Sequence, residues 1–137
     1  MLKSVKVRDY MTRDLVTFSE HTDLFKAIDV LLTHRISGAP VIDASGQLVG
    51  VLSESDCLRS ILSGSYFEEV GGSVSSVMTA VVETIDADAD IVKAAEHFIH
   101  RGRRRLPVVD AGKLVGQISR RDILRAVKAY NEHGAPR

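Results

Sequence analysis

Two stretches of this chain have residue types and spacing that could do chemistry. GVLSESD spans residues 50–56 and GQISRRD spans residues 116–122, and both read Gly-x-x-Ser-x-x-Asp. A serine followed three residues later by an acidic residue, at the start of a helical run, is a capping signature. The same geometry suits a ligand, because a helix start presents free N–H groups and the positive end of a dipole to an anion. The hydroxyls of Ser53 and Ser119 could donate to a phosphate, and the carboxylates of Asp56 and Asp122 could accept from both hydroxyls of a ribose. Capping alone tolerates many residue types, so the same phrase after the same strand, twice, favours a site. A cap as the sole role stays open as the alternative.

The second feature is RGRRRL, residues 101–106. Read plainly, it is a solvated basic helix end, favourable to the C-terminal dipole. Arg103, Arg104 and Arg105 precede a strand, however, and Arg120 and Arg121 begin the helix that follows the second Ser-x-x-Asp phrase. Guanidiniums there could clamp a polyphosphate bidentately. The first copy of the phrase has Glu54 and Ser55 instead, so the phosphate-binding potential is lopsided. His97 and His100 lie i, i+3, but no Cys or further His completes the three or four ligands a metal needs. Cys57 aligns with Ile123 and reads as a small hydrophobe. No nucleophile–base constellation or catalytic carboxylate pair is legible, so the expectation is a protein that is not an enzyme.

The elements that must position these residues come twice. At an offset of 67, Met11-Thr12 falls on Met78-Thr79, Asp23, Lys26 and Ala27 on Asp90, Lys93 and Ala94, and Pro40-Val41 on Pro107-Val108. One residue then drops out of a turn, and at 66 Leu48-Val49-Gly50 falls on Leu114-Val115-Gly116. Each unit reads β-α-β-β-α. Leu15–Phe18 and Val82–Ile85 are β-prone. A helix follows with apolar residues Leu24, Ala27, Ile28, Leu31 and Leu32, or Ile91, Ala94, Ala95, Phe98 and Ile99, a single stripe to be buried. Thr22 or Asp23, and Asp88 or Asp90, are the candidate caps. APVID and LPVVD are strands with a proline at the start, ASGQ and AGK are turns, and LVGVLS and LVGQIS return. Second helices run from about Glu54 to Leu62 and from about Arg120 to Tyr130. The repeats divide the chain as 1–62, a Gly/Ser-rich linker at 63–73, and 74–137. A lone unit buries one face of its sheet, so the expected fold is α/β, two β-α-β-β-α repeats packed sheet to sheet with pseudo-two-fold symmetry.

Composition narrows the function classes. The chain has 137 residues, 45% hydrophobic, and eighteen basic residues balance eighteen acidic ones. Zero net charge supplies no global pull toward nucleic acid or membrane, and the lack of Trp argues against a base-stacking platform. No apolar stretch approaches the roughly 20 residues of a membrane span. A single cysteine and an N-terminus without an apolar core lead to the expectation of a soluble, cytoplasmic protein.

The tandem unit, the openings MTRDLVT and MTAVVET, the strands SGAPVID and RRLPVVD, and the Gly-x-x-Ser-x-x-Asp endings together resemble a pair of cystathionine-β-synthase (CBS) domains, a Bateman module, from about Val7 to Val127. The resemblance implies regulatory binding of an adenine nucleotide or related adenosyl ligand in clefts between the repeats. AMP, ADP or ATP are the expected ligands, because the arginines favour a phosphate-bearing ligand over S-adenosylmethionine. Asp56 and Asp122 match the family's ribose-binding position. Backbone at Ile36 and Ser37, beside Gly38, would read the adenine edge, with Met11 and Val16 on the other side of the slot. The second repeat offers Met78, Glu83, Arg103 and Arg104. Arg104 and Arg105 stand where Ser37 and Gly38 stand in the first repeat, so the two sites are expected to differ. The resemblance further implies a homodimer and an unknown regulated partner protein. The rival reading is a ligand-free dimerisation or scaffolding module that uses apolar residues of the second helices (Leu58, Ile61, Leu62, Ile123 and Val127). Nucleic-acid binding through the arginines ranks third.

Overall fold

The computed structural model of the chain describes residues 1–63, 72–80 and 82–134. The central part of the expected linker lies outside the described residues. The structure is mixed α/β, with two three-stranded sheets among the described residues, each accompanied by helices. The chain divides into two compact units, Met1–Leu15 with Glu83–Arg137, and Val16–Val82. These units are cut differently from the sequence repeats. The first fifteen residues join the second repeat's body, and the opening of the second repeat joins the first repeat's body.

In the unit Val16–Val82, β1 (Phe18–Ser19) runs parallel to β2 (Gly38–Ile42), and β2 runs antiparallel to β3 (Leu48–Ser53). Helix α2 (Leu24–His34) links β1 to β2, and α3 (Glu54–Leu62) follows β3. The other unit repeats the plan with β4 (Ile85–Asp86), α4 (Ile91–Arg101), β5 (Arg105–Asp110), β6 (Lys113–Ser119) and α5 (Arg120–Ala129). It also holds the short helix α1 (Val7–Tyr10) from the chain's start. Asp23 and Asp90 cap α2 and α4 by accepting from the backbone N–H of Lys26 (3.1 Å) and Lys93 (2.8 Å). No helix among the described residues is long and apolar enough to cross a membrane.

The helical stripes are narrower than the sequence period suggests. Leu24, Ala27 and Leu31 are buried, as are Ile91, Ala94 and Phe98. Leu32 and Ile99, expected in the stripe, are 70% and 79% exposed. A helix turns about 100° per residue, so position i+8 lies about 80° round from position i, on the flank away from i+3. The prolines also sit differently from expectation: Pro40 and Pro107 are third in their strands, not first. They pair with Val51 and Gln117, whose own N–H and C=O bond outward to Thr79 and Thr12. On the other side, β1 and β4 begin one position beyond each proline. The missing N–H therefore leaves no ladder bond unmade.

That outward bonding recruits the exchanged segments. Thr12 N–H donates to Gln117 O at 2.8 Å and Gln117 N–H returns to Thr12 O at 2.9 Å. Val51 and Thr79 exchange the same pair, each at 2.9 Å. Glycine makes the approach possible. A Cβ on Gly116 would stand 2.6 Å from Met11 Sδ and 2.8 Å from Thr12 O, and one on Gly50 would stand 2.7 Å from Met78 Sδ and 2.8 Å from Thr79 O. Val7 and Met11 are thereby carried into a core with Ile85, Phe98, Leu106 and Ile118. Arg8 adds a polar tie at the surface, donating from Nε to Asp88 (2.7 Å) and from Nη2 to Asp110 (3.3 Å). That guanidinium holds the Asp88 carboxyl below the usual range.

Two stability predictions follow from this geometry. Gly116→Ala forces a backbone oxygen to move and is expected to lose about 1–3 kcal/mol in urea unfolding, as overpacked sites do. Arg35 ends α2 in the left-handed region (φ 54°), where the second repeat has Gly102 (φ 65°). Arg35→Gly is expected to gain about 0.5–1 kcal/mol in the same assay, because only glycine adopts that conformation without a Cβ clash.

Candidate functional site

Each Ser-x-x-Asp phrase closes a full capping box. Ser53 Oγ accepts from Asp56 N–H (3.1 Å), and Asp56 Oδ2 accepts from Ser53 N–H (2.9 Å). Ser119 Oγ accepts from Asp122 N–H (3.2 Å), and Asp122 Oδ2 accepts from Ser119 N–H (2.8 Å). The strand delivers the serine in an extended conformation, and the helix starts on the next residue. Both carboxylates are nearly buried, Asp56 at 4% and Asp122 at 6% exposure. A buried charge requires partners, and an exposed arginine one helical turn on supplies one in each unit: Arg59 to Asp56 (2.5 Å), and Arg125 to Asp122.

The two carboxylates differ in what else they hold. Asp56 takes four donors: Ser53 N–H, Ser53 Oγ (3.0 Å), Arg59, and Thr79 Oγ1 (3.0 Å). Among the described residues Asp122 takes two, Ser119 N–H and Arg125, one on each oxygen. Thr12, the counterpart of Thr79, bonds to Gln117 through its backbone, and its hydroxyl does not reach Asp122. Thr79 is a site residue that no local sequence pattern marks as a partner of Asp56. The repeated Met-Thr dipeptide was its signal, but the partner lies 23 positions away.

Around Asp56 the structure gathers several expected site residues. Val16, Ile36 and Met78 pack together against one hydrophobic core. Ser37 O accepts the first N–H of α3 from Glu54 (2.8 Å). Gly38 lies so close to β3 that an added Cβ would meet Leu52 O at 2.9 Å. Met11, expected beside Ile36 and Ser37, is held in the other unit. It packs in the unit of Asp122, and Met78 takes the corresponding place beside Asp56. The reason is the outward pairing of Gln117 and Val51, which sends each Met-Thr segment to the other repeat's body.

Around Asp122 the surroundings are charged. Glu83, aligned with Val16, accepts two bonds on Oε1 from Arg103 (2.8 and 3.2 Å) and shares Oε2 with His97 Nε2 at 2.8 Å. Arg103 first, then His97, hold the Glu83 carboxyl below the usual range. His97 therefore faces a carboxylate, and among the described residues no group of three or more potential metal ligands is assembled. Arg120 N–H donates to Arg104 O (3.2 Å) and Arg120 Nε to Arg103 O (2.8 Å), which fixes the start of α5 to the lead-in of β5. Cys57 is buried in the apolar core. Burial first, and then the charge of Asp56, push its thiol up.

Comparison with known proteins places this architecture. CBSX2 from Arabidopsis thaliana, solved in complex with AMP, superposes with a TM-score of 0.80 at 32% identity, covering 93% of this chain and 98% of that one. Among curated proteins, MJ1225 of Methanocaldococcus jannaschii is 31% identical over 119 residues, and the A-adding tRNA nucleotidyltransferase of Aquifex aeolicus is 34% identical over 124 residues. These matches take in 87% and 90% of this chain but only 41% and 14% of those relatives' lengths. The CBS domain family model matches residues 7–63 and again 74–129. With one match in each sequence repeat and a pair fold shared with CBSX2, the chain belongs to the CBS domain family.

Proposed function

We propose that this chain is a regulatory module that binds an adenosyl ligand, AMP, ADP or ATP, and passes its occupancy to a partner protein. The observation that carries this reading is the pair of buried carboxylates, Asp56 and Asp122, each at a helix start and each neutralised by an exposed surface arginine. Arg59 and Arg125 are 66% and 63% exposed at their side chains, so either can swing into water. The vacated carboxylate oxygen then accepts ribose hydroxyls, while the cap bond to the serine N–H on the other oxygen stays. Likeness to CBSX2, which was solved with AMP, supports the ligand class.

On this reading Asp56 works with Val16, Ile36, Ser37, Gly38, Ser53 and Met78. Asp122 works with Met11, Glu83, Arg103, Arg104, Arg105, Ser119, Arg120 and Arg121. The module acts in the cytoplasm as a homodimer, and a nucleotide shifts its conformation only through unequal affinity for two states. A partner that reads the ratio of adenylates would make it an energy sensor.

The scaffold reading has two observations in its favour: the capping boxes already account for both Ser-x-x-Asp phrases, and Leu58, Leu62 and Val127 are exposed on the second helices, where Leu124 takes the exposed place expected of Ile123, which is buried in the core. Titration calorimetry separates the two. With Asp56→Ala and Asp122→Ala, the nucleotide reading expects AMP affinity to fall about tenfold or more at the altered site, the loss typical of a charged hydrogen-bond acceptor. The scaffold reading expects no heat of binding from wild type and a lowered Tm as the only effect of either variant.

A further inference from the structure

The two buried carboxylates differ in how many of their acceptor positions are taken. An ionised carboxylate offers about four lone-pair positions, two on each oxygen. At Asp56 all of them are filled. Oδ2 accepts from Ser53 N–H and from Ser53 Oγ, and Oδ1 accepts from Arg59 Nη2 and from Thr79 Oγ1. At Asp122 the described residues fill one position on each oxygen, Ser119 N–H on Oδ2 and Arg125 on Oδ1. Thr12 stands where Thr79 stands and makes the same reciprocal backbone pair, with Gln117, but its hydroxyl makes no bond to Asp122.

The difference matters to a ligand that brings two neighbouring hydroxyls. In both units the arginine gives way first, because its side chain lies largely in water. When Arg125 leaves Asp122, both positions on Oδ1 are open to incoming donors. When Arg59 leaves Asp56, Thr79 still holds one position on Oδ1, and Ser53 still holds both on Oδ2. One ligand hydroxyl is then accepted directly, and a second only after a protein hydroxyl turns away. The Ser53 hydroxyl is tied twice, since it also accepts from Asp56 N–H in the capping box. The exposed Thr79 is the one that turns, and its backbone stays fixed by two bonds to Val51 at 2.9 Å each.

We infer that Thr79 is a positioning residue whose hydroxyl ranks the two carboxylates: Asp122 reads both hydroxyls of a ribose and fills first, while Asp56 reads one and fills second. That a ribose comes to these carboxylates rests on the adenosyl reading above. The ranking has a separate origin. The Ser-x-x-Asp phrase is the same in both repeats, and the ranking comes from a side chain 23 positions away that the fold brings to only one of them.

The experiment is titration calorimetry of the full chain with AMP, 2′-deoxy-AMP and 3′-deoxy-AMP. Wild type is expected to take AMP in two steps, and two equal steps overturn the ranking. Asp122→Ala then isolates the site of Asp56, and Asp56→Ala isolates the site of Asp122. At Asp122, loss of either hydroxyl is expected to weaken binding about tenfold or more, as loss of one charged hydrogen bond does. At Asp56, one of the two deoxy analogues binds as tightly as AMP. Thr79→Val, in the Asp122→Ala chain, keeps the side chain's shape and removes the donor. AMP then binds Asp56 more tightly, and both deoxy analogues bind more weakly than AMP. A residue that only supported the fold would instead lower the affinity for all three alike. Thr79→Ser restores the donor and with it the wild-type pattern, and Thr12→Val leaves the Asp122 site as it was. An Asp56 site that tells AMP from both deoxy analogues in the presence of Thr79, or a pattern that Thr79→Val leaves unchanged, overturns the ranking and leaves the adenosyl reading intact. No heat from AMP with wild type defeats the adenosyl reading and the ranking with it.

Discussion

The structure depends on two pairs of backbone hydrogen bonds. Thr12 pairs with Gln117, and Thr79 pairs with Val51, each by reciprocal N–H to C=O bonds at the outer edge of a three-stranded sheet. These bonds use backbone groups that the proline-containing strand cannot engage, and they close the exposed side of β3 and β6. They also decide which side chains meet. Met11 and Met78 are pressed against the bare α-carbons of Gly116 and Gly50, and Thr79 is brought to hydrogen-bonding distance of Asp56.

From that constraint follows the exchange of opening segments between repeats. A two-residue β1 or β4 is too short to hold a sheet edge by itself. The Met-Thr segment completes the edge on the opposite side of each sheet. Val7 and Met11 then bury their side chains in the second repeat's body, and Val74 does so in the first repeat's body. Arg8 reinforces the first of these with bonds to Asp88 and Asp110, and the other unit has Ser75 at the matching position, bonded through its backbone N–H to Glu20 O.

The buried acids show how one feature serves fold and function together. A carboxylate at the third position of a helix relieves an unpaired N–H at the cap and sits in the favourable end of the helix dipole, so Asp56 and Asp122 are stable there without a ligand. Their second oxygens are neutralised by arginines that keep most of their surface in water. An arrangement of this kind is folded and poised at once: the cap fixes the carboxylate, and the arginine, which lies largely in water, can give way only to another donor, because a buried carboxylate left without a partner is costly.

What the sequence alone determined is what short-range physics controls. The repeat, the places of α2 to α5 with approximate bounds for α3 and α5, caps narrowed to Thr22 or Asp23 and to Asp88 or Asp90, the turns and the Ser-x-x-Asp boxes were legible because each depends on residues within one or two helical turns or one hairpin. The resemblance to the CBS domain family was legible for the same reason, since its motifs recur in order in both copies. Tertiary structure decided the rest. It seated Met11 in the body of Asp122 and Met78 in the body of Asp56, because the edges of β3 and β6 choose their partners through backbone bonds that carry no side-chain signature. It left Leu32 and Ile99 exposed, because the width of a buried stripe is set by what packs against it and not by its period. It gave Glu83 to Arg103 and His97, and gave Thr79 to Asp56, pairings between residues 14 to 23 positions apart that only a folded chain brings within hydrogen-bonding distance.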